Sequence, residues 1–234
     1  MMLSKFYVNN RISKKFDSGG IDTLKDCLNK KHFNEYPYVV QYEYNSRGFR
    51  DIEWPDDVSH AIWCVGDSFT VGVGAPIEHS WPAILANKAG QKTINCGMDG
   101  ASNDWIAARV LELIAEIKPT NIVIQWSYLH RREQNGVSVW FDPLANKADD
   151  LKNLCNHITE IESIKGSTNI IHSYIPYRDI KLIKILNQLI HRNVPKATVF
   201  VNLFDQLDFA RDGHHYDLIT SNAYVEYYLP LLKV

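Results

Sequence analysis

The sequence predicts an α/β protein built on a parallel, doubly wound sheet. From about Ala61 onward, short apolar runs alternate with segments of helical periodicity. The apolar runs are mostly continuous, as expected of strands covered on both faces. Helix-length segments separate them, which is the connection that parallel neighbours require.

The first run, 61–66 (AIWCVG), ends at Gly66, and 81–90 (WPAILANKAG) forms a short helix closed by Gly90. Residues 93–98 (TINCGM) make the second strand. Residues 105–117 are a helix with apolar positions at helical spacing, stopping before Pro119. Residues 121–127 (NIVIQWS) are the third strand. A helix over 145–164 puts Leu151, Leu154, Ile158 and Ile161 on one face. The fourth strand is 169–175, a helix spans 180–192 ahead of Pro195, the fifth strand is 197–204, and a last helix runs from Ser221 to Leu232.

Residues 1–59 stand outside this alternation. They are polar and aromatic, with Tyr36, Tyr38, Tyr42 and Tyr44 close together. They form an N-terminal extension packed on a single domain of residues 60–234. Ordinary aromatic packing is favoured there over a lid. No internal repeat or low-complexity tract is present.

Hydrophobic residues make up 45% of the 234 and charged residues 22%, enough for a substantial core. A net charge of −2 argues against an electrostatic nucleic-acid binder. Cys27, Cys64, Cys96 and Cys155 are far apart in the sequence and form no CxxC pair. Buried free thiols of a reducing compartment are expected. The first 16 residues hold no sustained apolar stretch, so neither a secretory signal nor an anchor is expected. No stretch is long and apolar enough to span a bilayer, and a cytoplasmic chain is the expectation. Oligomeric state has no visible determinant.

Two segments carry chemistry. Gly66-Asp67-Ser68-Phe69-Thr70-Val71-Gly72 follows the first strand directly. Ser68 therefore stands at a strand's carboxyl end, the edge where doubly wound sheets bind ligands. A helix starting there would aim backbone N–H groups at the same spot, a physical route to an oxyanion site. The competing reading is a plain strand-to-helix turn with Ser68 as a cap. Asp212-Gly213-His214-His215 follows the fifth strand and emerges at the same edge. A serine hydroxyl needs a base, histidine supplies one near neutral pH, and a carboxylate fixes its tautomer. A metal reading of His214 and His215 with Asp212 or Asp217 lacks HExxH or Cys/His spacing, so no metal and no cofactor are expected.

Over roughly residues 45–232 the chain resembles the SGNH, or GDSL, hydrolases. GDSFTVGVG around Ser68 resembles that family's nucleophile block, DGHH at 212–215 its DxxH block, and HYDLITSNAYVEYYLPLL its C-terminal helix. Asn45-Ser46-Arg47-Gly48-Phe49-Arg50 resembles the N-S-x-G-F-R segment ahead of the nucleophile block in many bacterial members. The resemblance implies a three-layer α/β/α sandwich with a five-stranded parallel sheet, flavodoxin-like in topology. It implies Ser68 as nucleophile, His215 as general base and then acid, and Asp212 orienting His215. The oxyanion donors it implies are the Ser68 N–H and, in the block Asn95-Cys96-Gly97-Met98-Asp99-Gly100, Gly100, with Gly97 the other register.

One block departs. Family members place a G-x-N-D segment after the third strand, and its Asn completes the oxyanion hole. Here the chain reads IVIQWSYLHRREQN, with no Asn in register. Ser127 or Asn103 is a candidate third donor, as are Tyr128, His130 and Arg131. Arg131, Arg132 and Glu133 are expected in a solvated loop, with substrate contact as the other reading. Trp126 suits either an acyl pocket or the core. The function implied is an esterase hydrolysing a small-molecule acyl ester, an acetylated sugar among the candidates. An acyltransferase using the same triad and an inactive binding module on the same fold are the alternatives.

Overall fold

The coordinates are a computed structural model, which describes residues 11–17, 22–135, 137–140, 145, 147–176, 184–185, 188, 192, 199–201 and 205–233. The N-terminal segment holds β1 (Lys15–Phe16), α1 (Lys30–Glu35) and β2 (Tyr42–Glu43). The domain then runs through β3 (Ile62–Gly66), α2 (Ser68–Val71), α3 (Trp81–Ala89), β4 (Thr93–Gly97), α4 (Asn103–Glu116) and β5 (Asn121–Trp126). After these come β6 (Arg131–Gln134), β7 (Val137–Trp140), α5 (Lys147–Ile164), β8 (Asn169–Tyr174), β9 (Val199–Val201) and α6 (Leu218–Tyr228).

The main sheet has the order β4-β3-β5-β8-β9, and every neighbouring pair is parallel. Successive side chains of a strand point to opposite faces, and β3 shows the consequence. Trp63 and Val65 join the core under α4 and α5, with Val110, Leu113, Leu154 and Ile158. Ile62 and Cys64 join the core under α3 and α6, with Trp81, Leu85, Tyr224 and Val225. Covering both faces produces three α/β/α layers, and it accounts for the continuous apolar run in the sequence.

α6 starts three residues before the expected Ser221. The cause is a cap supplied from outside the helix: the Asp208 carboxylate accepts the backbone N–H groups of Asp217, Ile219 and Thr220. The helix also ends sooner than expected, and Pro230 falls in a 3-10 turn over Leu229–Leu231. A second correction concerns 131–140. Instead of a solvated loop, β6 and β7 pair as an antiparallel hairpin. It is anchored to distant helices: Arg132 lies 3.6 Å from Asp150, and the Glu133 backbone N–H donates to Asp104. The helix expected over 180–192 and the ends of the 197–204 strand fall mostly outside the described residues.

The N-terminal segment packs through polar anchors as well as rings. Tyr42, fully buried, donates to Asp22 and accepts the Gly74 N–H. The Tyr36 hydroxyl donates to Asp217. Arg50 is buried and donates to the carbonyl oxygens of Gln41, Gly72 and Ala75. All four cysteines are buried free thiols. Among the described residues no helix is long and apolar enough to cross a membrane.

Candidate active site

β3 ends at Gly66, wedged between Gly97 of β4 and Gln125 of β5. A β-carbon at Gly66 would lie 2.1 Å from Thr70 Oγ1 and 2.9 Å from the Gln125 carbonyl oxygen, so only glycine lets the chain turn here. Asp67 caps the turn, its Oδ1 accepting the Phe69 N–H at 3.0 Å. Its carbonyl oxygen takes the N–H groups of Thr70 and Val71. α2 is a single turn, ended by left-handed Gly72 at φ +75°. The multi-donor helix start expected from the sequence is therefore absent: three of its N–H groups are turned onto Asp67. Ser68 lies between these anchors, 3% exposed.

The opposite wall is the turn before α6. The Ala210 N–H donates to the His215 carbonyl oxygen at 2.8 Å, the Arg211 N–H to the Gly74 carbonyl oxygen at 2.8 Å, and the Gly213 N–H to that of Ala210 at 2.9 Å. These bonds tie the turn to itself and to the Ser68 loop. Asp212 Oδ1 accepts the N–H groups of His214 and His215 at 2.8 and 3.0 Å. The structure thus brings together the three residues picked out by the two motifs. His215 Nδ1 is 2.6 Å from Asp212 Oδ2, and His215 Nε2 is 2.7 Å from Ser68 Oγ. An ionised carboxylate only accepts, so the imidazole proton sits on Nδ1 and Nε2 accepts from the serine hydroxyl. Burial opposes the charge on Asp212, yet the bonds from His215 and from the His214 and His215 N–H groups outweigh it and hold its carboxyl below the usual range. Asp217, the other acidic residue of the metal reading, is turned away to Tyr36 and His79.

Beside the serine opens a cleft of about 510 Å³, lined among others by Leu28, Ser68, Gly100, Tyr128, Arg131 and His215. Gly100, at φ +73°, faces this cleft. Gly97 has a different place: a β-carbon there would lie 2.8 Å from the Val71 nitrogen, so its glycine serves close packing beneath the Ser68 turn. Asp99 also lines the cleft, where burial pushes its carboxyl above the usual range despite Arg11 at 3.4 Å. His214 is kept toward its neutral form by burial and by the neighbouring His215.

The two donors first considered for the missing Asn are engaged with each other. Asn103 Oδ1 accepts the Ser127 N–H at 2.9 Å, and its amide donates to the Tyr128 carbonyl oxygen at 3.1 Å. The Ser127 hydroxyl donates to Asp67 Oδ2. Trp126 is fully buried and stacks on His172, which makes it a core residue. Arg131, expected in a solvated loop, is 7% exposed and bonds Asp67 Oδ2 through Nη1 at 3.2 Å. Sequence reasoning missed this pair and missed Arg50 as the clamp on the loop after Ser68. The available signals were an acidic residue inside the serine motif and the terminal arginine of the N-S-x-G-F-R segment.

No family model matches the sequence, and no curated protein matches it either. Solved structures do. A protein assigned to the lipolytic G-D-S-L family from Desulfitobacterium hafniense DCB-2 is 19% identical, with a TM-score of 0.51 over 74% of this chain and 99% of that one. TesA is 20% identical, with a TM-score of 0.55 over 74% of this chain and 98% of that one. A family two carbohydrate esterase from Clostridium thermocellum, solved with cellohexaose, is 15% identical, with a TM-score of 0.54 over 76% of this chain and 65% of that one. At such identities the likeness is one of architecture: the chain has the three-layer α/β/α fold of the G-D-S-L lipolytic proteins and family two carbohydrate esterases.

Proposed function

We propose that this chain is a serine hydrolase that cleaves a small acyl ester through an acyl-enzyme on Ser68. The observation that supports it best is the relay of two short contacts, Ser68 Oγ to His215 Nε2 at 2.7 Å and His215 Nδ1 to Asp212 Oδ2 at 2.6 Å. In this reading His215 takes the serine proton as Oγ attacks the ester carbonyl. The proton then passes to the leaving alcohol, and a water activated by the same histidine releases the acid. Asp212 stays ionised, holding the ring and stabilising the imidazolium. The backbone N–H groups of Ser68 and Gly100 receive the developing oxyanion. Neither a metal nor a cofactor is needed for these steps. Residues 60–234 carry the chemistry, and Tyr36, Tyr42 and Arg50 of the N-terminal segment brace its loops.

Two observations support a substrate class for this reading. Carbohydrate esterases share the fold, and the cleft presents Asp26, Asp99, Tyr128 and His130 to whatever alcohol leaves. Carboxylates and aromatic rings suit a polar, hydroxyl-bearing alcohol such as an acetylated sugar.

Turnover of p-nitrophenyl acetate by wild type, Ser68→Ala and His215→Ala tests the reading. Hydrolysis by wild type, abolished in both variants of unchanged fold, is expected. Full turnover by Ser68→Ala overturns it. A sugar alcohol added to the assay that captures the acyl group faster than water does would recast the enzyme as an acyltransferase using the same residues.

A further inference from the structure

We propose that Arg131 supplies the third oxyanion donor, in the role left vacant by the missing Asn after β5. The inference rests on the serine-hydrolase reading above and chooses among the five candidates that the sequence leaves open for that role.

Of the chain that follows β5, Tyr128, His130 and Arg131 line the cavity that holds Ser68 and Gly100. Ser127 and Asn103 do not appear in that lining, and their side chains are spent on Asp67 and on the Tyr128 carbonyl oxygen. His130 is kept toward its neutral form, by burial and by the adjacent Arg131 charge. Tyr128 is a neutral donor whose hydroxyl lies 3.4 Å from His214 Nε2. Of these three cleft-lining residues, Arg131 alone is a cationic guanidinium, a fork of donors with no acceptor.

Its position is set in advance. Nη1 bonds Asp67 Oδ2 at 3.2 Å and Ser127 Oγ at 3.3 Å, and the guanidinium lies 5.0 Å over the Tyr128 ring. Asp67 directly precedes the nucleophile and caps its turn. One carboxylate therefore holds both the arginine and the Phe69 N–H of the turn that carries Ser68, and β6 pairing with β7 holds the arginine's backbone. A donor immobilised before the reaction costs no reorganisation as charge develops, which is the condition for effective oxyanion stabilisation. A charge-assisted donor is also stronger than the neutral amide it replaces.

The test reads p-nitrophenyl acetate kinetics, melting temperature and inhibition by phenylboronic acid, which forms a tetrahedral adduct with an activated serine. Arg131→Met should lower kcat by roughly 10²–10³-fold with KM changed by no more than about threefold. Boronate affinity should fall in parallel with kcat, because the adduct bears the same charge. Arg131→Lys should recover part of the rate, and added guanidinium should raise the rate of Arg131→Ala but not of His215→Ala.

Arg131→Met strands a buried carboxylate at Asp67, so a folding loss could imitate a catalytic one. The double variant Asp67→Asn with Arg131→Met removes the ion pair and keeps a capping side chain. A merely structural arginine predicts recovered turnover in that double variant; the proposal predicts that turnover stays low while the melting temperature recovers. Recovery of turnover there, or a well-folded Arg131→Met with wild-type kcat, overturns the proposal and leaves the triad intact. Loss confined to Tyr128→Phe assigns the donor to Tyr128 and overturns it as well. Wild type that neither turns over ester nor binds the boronate overturns the hydrolase reading, and this inference with it.

Discussion

Asp212 holds His215 twice, accepting the backbone N–H through Oδ1 at 3.0 Å and the ring Nδ1–H through Oδ2 at 2.6 Å. One carboxylate thus fixes both the chain position and the ring tautomer of the residue that meets Ser68. Asp212→Asn is nearly isosteric, but its amide can present a donor to Nδ1 and favour the wrong tautomer. By the serine-protease precedent the expected fall in kcat is about 10⁴-fold. Stopped-assay kinetics on p-nitrophenyl acetate, beside a melting curve showing an intact fold, check it.

Arg50 clamps the loop behind Ser68 by gathering the carbonyl oxygens of Gln41, Gly72 and Ala75. Its ring partner is Tyr42, 4.2 Å from the guanidinium. Arg50→Ala leaves buried acceptors without a donor, at about 1–3 kcal/mol each. Urea unfolding should show a large loss, and Arg50→Lys should restore little, because an ammonium lacks the planar fork that reaches several acceptors.

Gly66→Ala should be among the most damaging single changes. The added methyl meets a backbone carbonyl oxygen at 2.9 Å as well as Thr70 Oγ1, and neither β3 nor β5 can shift without its parallel neighbours. Overpacking of this kind costs about 1–3 kcal/mol or more. A lowered melting temperature and reduced turnover are expected together, since the strand that moves leads directly into the Ser68 turn.

His172 predicts a pH dependence of stability away from the cleft. It is fully buried, accepts from Trp126 Nε1 through Nδ1 at 3.1 Å, and lies 3.3 Å from Glu162 through Nε2. Burial pushes its pKa down, outweighing the pull of Glu162. The unfolded chain therefore binds a proton at a higher pH than the folded one. Stability is unaffected well above about pH 6.5 and declines as pH falls from there towards the depressed folded value, with a slope of at most about 1.4 kcal/mol per unit. His172→Gln should be less stable at pH 8 yet flatter between pH 6.5 and 5, as melting curves across that range will show.

Much of this was readable from the residues because the signals were local. The runs ending at Gly66, Gly97 and Trp126 are buried on both faces, and the helix under 105–117 has its own period. Ser68 follows β3 directly and the Asp212–His215 turn comes after β9 in the chain, and both emerge at the carboxyl edge of the parallel sheet. What stayed hidden depends on partners distant in sequence. The start of α6 is capped by Asp208 through tertiary contact. The β6–β7 hairpin opens on Arg131-Arg132-Glu133-Gln134, which lacks the apolar alternation of a strand; its arginines are met by Asp67 and Asp150, and its Glu133 N–H donates to Asp104. Asn103 and Ser127, 24 residues apart, satisfy each other, which no spacing rule reveals.

The central claim is an activated serine at position 68. The most direct measurement is labelling with a fluorescent fluorophosphonate, with the modified residue identified by peptide mass spectrometry. The account predicts a single adduct on Ser68, absent in Ser68→Ala and strongly slowed in His215→Ala. A well-folded wild-type protein that takes no label, or takes it on another residue, would contradict it.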